Sequence, residues 1–155
     1  MTRADARELA VHLIYGRNFT GEEPEEVVAV RLNKDYYTQL SDENEIYTEM
    51  PSRKQLQYID TVVAGVANRE EYLNAQIQQY SIGWNVSRIS RLTRAVLQLA
   101  LYEILYVEDV PAGVAVSEAV RLAKKYDGDD TGSFVNGILG SFVRAQAAEP
   151  ATEEV

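Results

Sequence analysis

Arg3 and Arg7 stand four positions apart in a stretch of helical pattern, which projects both guanidinium groups from one side of the same helix. Tyr15 follows two turns beyond Arg7 and close to its face. Guanidinium forks suit phosphate oxygens, and an aromatic ring stacks on an unpaired base, so this set could hold single-stranded nucleic acid. Ordinary surface charge is the plainer account of the two arginines. A second basic pair, Lys124 and Lys125, adjoins Tyr126 and lies just before Phe134-Val135-Asn136-Gly137.

Catalytic chemistry finds no such grouping. His12 is the only histidine, and no Ser or Asp around it has the spacing of a triad. With no cysteine in the chain, a thiolate zinc site, an iron–sulfur centre, a disulfide framework and a Cys nucleophile are all excluded. Carboxylates crowd residues 22–49, where a solvated acidic surface explains them better than an acid–base pair. Neither a GxxxxGK phosphate loop nor a GxGxxG turn occurs. The residues present imply neither a cofactor nor an enzyme.

The elements that must carry the basic and aromatic residues are helical. Ala6, Leu9, Ala10, Leu13 and Ile14 follow the i, i+3, i+4, i+7 spacing of one face, and Thr2 with Asp5 resembles a capping box, so a first helix is expected over 3–18. Gly21 breaks it, and the run Glu26–Leu32 reads as a second helix. Residues 41–45 read as a loop ended by Pro51, and Ser52 caps a third helix with Leu56, Ile59, Val63 and Val66 in one stripe. Asn68 looks like the N-cap of a fourth helix reaching Gln79, and residues 80–87 read as a turn anchored by Trp84. From Ser87 to Val107 apolar residues occupy most sides, the mark of a central, buried helix stopped by Pro111. Val114–Ala123 forms another, ending in Lys124 and Lys125, where positive charge suits a helix C-terminus. Residues 126–132 read as a turn, and Ser133–Ala147 as the last helix. Period-2 alternation is missing, so the expected fold class is all-α, a compact bundle of six to seven helices.

The chain's 155 residues allow one domain or two small subdomains sharing a core. No apolar run approaches the roughly 20 residues of a membrane span, and the charged start MTRADARELA is unlike a signal peptide, which points to a cytoplasmic location. A net charge of −9 argues against nucleic acid at first sight. Residues 20–50 carry −7 and the residues after 148 carry −3, however, leaving the body at +1. The acidity reports on one segment and a tail, not on the basic face.

Several of these segments together carry a resemblance. Arg94-Ala95-Val96-Leu97-Gln98-Leu99-Ala100-Leu101-Tyr102-Glu103, preceded by Trp84 and Arg88-Ile89, resembles the central helix of the NusB family of transcription antitermination factors. So do Asp109-Val110-Pro111, the stretch from Val116 to Lys124, and Phe134-Val135-Asn136-Gly137-Ile138-Leu139. The opening helix from Ala6 to Tyr15 is similar to that family's arginine-rich first helix, whereas residues 20–50 are not matched in detail.

The resemblance implies two helical subdomains, about 1–80 and 81–148, in one RNA-binding domain, followed by a disordered acidic tail over 149–155. It implies binding of boxA RNA in ribosomal RNA transcripts together with NusE, a small-subunit ribosomal protein, in a complex that helps RNA polymerase read through terminators. Carried over by position, Arg3, Arg7, Tyr15, Asp130, Phe134 and Asn136 are the implied RNA-binding residues, and Lys124 of the second basic pair joins them as a candidate. Core packing stays open for Phe134, and a helix hydrogen bond for Asn136. Trp84 reads as a core plug, and Gly137 as a close crossing of two helices.

The sequence also departs from the family. Ala4 and Asp5 stand where basic residues are common, and two arginines in place of three or four imply a weaker, less salt-dependent grip on RNA. Thr93 replaces an acidic residue that often precedes the RAVL run. Two alternatives belong beside this reading. One is a homodimeric protein-binding helical module. The other is the NusB-like part of a ribosomal RNA methyltransferase, whose cofactor loop and reactive cysteines are missing here. Neither DNA nor a membrane is an expected partner.

Overall fold

The computed structural model of the chain describes residues 1–42, 44–81, 83 and 89–148. Trp84, Arg88 and the tail over 149–155, to which the sequence reading gave roles, lie outside these residues. The described residues are α-helical, with two short 3-10 turns and no strand, as the all-α expectation required. The helices are α1 (Arg3–Thr20), α2 (Pro24–Arg31), α3 (Lys34–Gln39), α4 (Arg53–Asn68), α5 (Glu70–Gln79), α6 (Arg91–Tyr106), α7 (Ala112–Asp127) and α8 (Asp129–Ala148). None is long and apolar enough to cross a membrane. The chain forms two compact units, Met1–Arg69 and Glu70–Val155, so α5 belongs with the second.

In the first unit α1 starts where its sequence says it must. The Asp5 amide donates to the Thr2 hydroxyl at 3.0 Å and the Thr2 amide donates to the Asp5 carboxylate at 3.2 Å, closing a capping box. The helix stops at Gly21, whose φ of 76° lies in the left-handed region that favours glycine. Ala6, Leu9, Ala10, Leu13 and Ile14 are buried, and α1 packs on α4 through Ile59, Val62, Val63 and Val66 of the latter. Each buried Leu, Ile or Val contributes roughly 1.5–3 kcal/mol through apolar area removed from water. Ser52 and Gln55 cap α4 in the same reciprocal way.

The loop expected over 41–45 is flanked by the short helix α3, which the sequence reading did not assign, and meets 3-10 turns at Leu40–Asp42 and Glu45–Thr48. Four aromatic or apolar side chains there, Tyr37, Leu40, Ile46 and Tyr47, go into the core and hold a largely polar segment. Tyr47 meets His12 of α1, whose Nδ1 lies 2.8 Å from the tyrosine hydroxyl. The histidine is thus a half-buried structural contact.

In the second unit α6 is the central element, burying Ala95, Val96, Leu97, Leu99, Ala100 and Leu101 against α5, α7 and α8. Its polar side chains are satisfied internally: Gln98, fully buried, donates its amide to Asn74 Oδ1 of α5 at 2.9 Å. The turn expected over 126–132 shrinks to a single residue, Gly128, with φ 95°. α8 therefore begins at Asp129, four residues earlier than its apolar pattern suggested. Asp129 and Asp130 stand in its first turn, where the helix dipole favours negative charge.

Candidate nucleic-acid interface

α1 places the three implied residues of the first unit in different environments. Arg3 is half-buried, with its guanidinium 4.4 Å from the centre of the Tyr58 ring of α4, a cation–π contact that fixes its stem. Tyr15 is exposed at 38 %. Arg7 is the correction: it is only 4 % exposed, so the exposed pair of guanidinium groups expected from the spacing does not form. The cause is register. Arg7 is three, four and seven residues before Ala10, Val11 and Ile14, all buried, so it shares the stripe that faces the core. Glu8 beside it is buried as well.

Phe19, to which the sequence reading gave no site role, belongs to the last turn of α1. It is 63 % exposed, one turn beyond Tyr15 on the same side of the helix. The i, i+4 spacing of these two aromatics was the signal that could have found it.

The second unit gathers Lys124, Asp130, Phe134 and Asn136 on α7, α8 and the turn that joins them. Lys124 is exposed in the last turn of α7, and its aliphatic stem lies across Gly132 so closely that a Cβ there would come within 2.5 Å of the lysine Cγ. Asp130 is exposed at the start of α8. Phe134 is 5 % exposed and belongs to the core. Asn136, two residues later, is about 200° around the helix from Phe134 and lies exposed on the other side. The two alternatives left open at Phe134 and Asn136 thus resolve in opposite senses: one side chain packs, the other faces solvent.

Gly137 also departs from expectation. A Cβ at that position would meet no atom within 4 Å, so no close helix crossing requires its small size. Thr93, which stands where the family often has an acidic residue, is buried in the first turn of α6 and gives its hydroxyl to Asp127, so it builds the fold. No group of acidic residues and histidine fit to hold a metal ion occurs among the described residues.

Asn136, Gly140 and Val143 of α8, with Ala112, Val116 and Val120 of α7, line a groove of about 510 Å³. The groove is mostly aliphatic. It has no aromatic wall on which a base could stack.

Comparison with known proteins agrees with the motifs. The NusB family pattern matches residues 4–144. The chain is 39 % identical over 146 residues to the transcription antitermination protein NusB of Acetivibrio thermocellus, covering 94 % of this chain and 91 % of that one. It is 35 % identical over 154 residues to the NusB of Symbiobacterium thermophilum, covering 99 % and 97 %. Among solved structures, NusB of T. maritima superposes with a TM-score of 0.69 at 27 % identity, covering 93 % of this chain and 92 % of that one. Antitermination factors NusB and NusE in complex with double-stranded RNA contain a chain of the same fold, with a TM-score of 0.71 at 22 % identity and coverage of 92 % and 96 %. On the full-length match and these identities, the chain belongs to the NusB family of transcription antitermination proteins, which are not enzymes.

Proposed function

We propose that this protein is an RNA-binding adaptor in transcription antitermination. It reads a boxA element of ribosomal RNA transcripts together with NusE, and the complex promotes read-through by RNA polymerase. The observation that carries this reading is family membership across almost the whole chain, residues 4–144, and not one subdomain alone. The solved assembly of a NusB with NusE and RNA supports the same classes of partner here.

The exposed and half-buried members of the candidate set supply the contacts. Arg3 reaches phosphate oxygens from a guanidinium already positioned on Tyr58. Tyr15 offers a ring for stacking, and Lys124 adds a point charge. Asp130 is acceptor-only and suits a base amino group or a 2′-hydroxyl, while Asn136 can both donate and accept. Arg7 and Phe134 act from behind, holding α1 and α8 in shape. With so few exposed cations in the set, the RNA is held weakly by this chain alone and firmly only with the partner, and all of this takes place in the cytoplasm.

Fluorescence anisotropy with a boxA RNA and a scrambled RNA, each with and without NusE, tests the proposal. Tighter binding of boxA that strengthens when NusE is present is the expected result. Equal, weak binding of both RNAs in the presence of NusE would overturn it.

A further inference from the structure

The last turns of α1 hold two aromatic rings out of the core. Tyr15 is 38 % exposed and Phe19 is 63 % exposed, and four positions of helix set them about 6 Å apart along one side. A single exposed phenylalanine needs no explanation, but this pair has a cation fixed beside it. The Arg31 guanidinium of α2 lies against Gly16, its nearest nitrogen 3.8 Å from where a Cβ would stand. It donates to the Tyr47 hydroxyl at 3.4 Å, and no carboxylate among the described side chains pairs with it. Tyr47 is buried, edge-on to the Tyr37 ring at 5.2 Å and with its hydroxyl 2.8 Å from His12 Nδ1, so the anchor under Arg31 is well held. A neutral hydroxyl takes one of the five guanidinium N–H donors and leaves the charge in place.

That grouping selects its ligand. Gly16 falls between Tyr15 and Phe19 in the chain, so the order along α1 is ring, cation, ring. One step of an unpaired RNA strand presents base, phosphate, base. Neighbouring bases in a stack are about 3.4 Å apart, too close for rings about 6 Å apart, so the two bases must be splayed, one on each ring. The phosphate that joins them then meets the guanidinium at Gly16. Duplex RNA has no free base face to offer the rings. Beyond Gly21 the exposed carboxylates of Glu22, Glu23, Glu25 and Glu26 repel a further phosphate, which ends the track at Phe19.

We propose that Phe19 and Arg31 are RNA-binding residues that extend the contact of Tyr15 by one nucleotide. A splayed step of single-stranded RNA places one base on Tyr15, its phosphate on Arg31 and the next base on Phe19. This rests on the RNA-binding reading above and adds to it where on α1 the strand runs and where it stops. Neither residue belongs to the set that the family resemblance implies.

The chain has three phenylalanines, and Phe134 and Phe142 are buried, so labelling with para-fluorophenylalanine gives three fluorine NMR signals of which one is exposed. Phe19→Leu assigns that signal by deleting it. The full chain with NusE is titrated with a boxA RNA, and anisotropy of the same RNA shows independently whether it is bound. The expected result is an upfield shift of the Phe19 signal that follows RNA binding. Phe19→Ala should weaken binding roughly 5- to 150-fold, the range for one stacked base, and Phe19→Trp should restore it. Arg31→Gln, which keeps an amide for the Tyr47 hydroxyl, should weaken binding and lower the slope of log K against log salt by about 0.7. RNA that binds while the Phe19 signal stays in place, or that binds Phe19→Ala and Arg31→Gln as tightly as wild type, would overturn the proposal and leave the RNA reading standing. A shift that NusE alone produces and RNA does not change would make this face a protein contact and overturn it as well. RNA that does not bind at all overturns both. The fluorine shift is read in the unaltered chain, so it decides even if Arg31→Gln loosens α2.

Discussion

Asp127, the last residue of α7, accepts the buried hydroxyl of Thr93 in the first turn of α6. The same carboxylate oxygen takes the hydroxyl of Ser90, the N-cap of α6, at 2.6 Å. An aspartate is poorly placed at the negative end of its own helix but well placed at the positive start of another, so the fold sets this charge where the second effect offsets the first. Thr93→Val, which keeps the shape and removes the hydroxyl, is expected to cost about 1 kcal/mol, and Asp127→Ala about 1–3 kcal/mol, because it strips both hydroxyls of their acceptor. Urea unfolding followed by circular dichroism measures both. A double variant no worse than Asp127→Ala would show that the two residues act as one contact.

Arg3 and Arg7 should separate cleanly in experiment despite their identical chemistry. Arg3→Ala is expected to leave the unfolding midpoint nearly unchanged while reducing RNA affinity and lowering the slope of log K against log salt by about one. Arg7→Ala is expected to lose about 2–4 kcal/mol of stability, since it vacates a buried site and abandons whatever polar groups the guanidinium satisfies. Thermal melts set beside anisotropy titrations decide the matter. An Arg7→Ala protein of full stability would contradict the buried assignment.

The two glycines of α8 make an opposed pair. At Gly137 there is open space and ordinary helical backbone, so Gly137→Ala is expected to stabilise the protein by about 0.5–1 kcal/mol. At Gly132 the added methyl would collide with the Lys124 stem, and that stem must move, so Gly132→Ala is expected to gain nothing or to lose about 1 kcal/mol. Denaturant midpoints of the two single variants, compared at equal m-value, test the difference in sign.

Tyr37 gives the fold an alkaline limit. Its buried hydroxyl donates to the carbonyls of Ile46 at 3.1 Å and Glu49 at 2.8 Å. Burial first, then the nearby Tyr47 and Glu49, push its ionisation well above the ordinary tyrosine value. The unfolded chain ionises this group near pH 10 and the folded chain does not, so the unfolded state binds fewer protons there. Stability from Tyr37 is complete below about pH 10 and declines as the pH rises beyond it. Tyr37→Phe should cost about 1–2 kcal/mol at neutral pH and flatten the fall in stability between about pH 10 and 11. A wild-type and a variant protein that lose stability in parallel over that range would remove the hydroxyl from the account.

What the sequence determined by itself is the part governed by local periodicity and by caps. The apolar stripes of α1, α4 and α6, the Thr2–Asp5 box, the Ser52 cap and the stop at Gly21 are all interactions between residues close in the chain, and each appears where its spacing placed it. The family motifs too are runs of contiguous residues. Tertiary structure decided which side of a helix has a neighbour. Arg3 and Arg7 share one side of α1, yet Arg3 in the first turn is half-buried on the Tyr58 ring while Arg7, one turn further in, is buried. Phe134 and Asn136 belong to one motif but point in opposite directions, because neighbouring elements cover only one side of α8. The order of segment 34–48 was illegible for a related reason: it comes from Tyr37 bridging to the carbonyl of Ile46 and from Tyr47 reaching His12 of α1, and no helical or strand periodicity encodes such contacts.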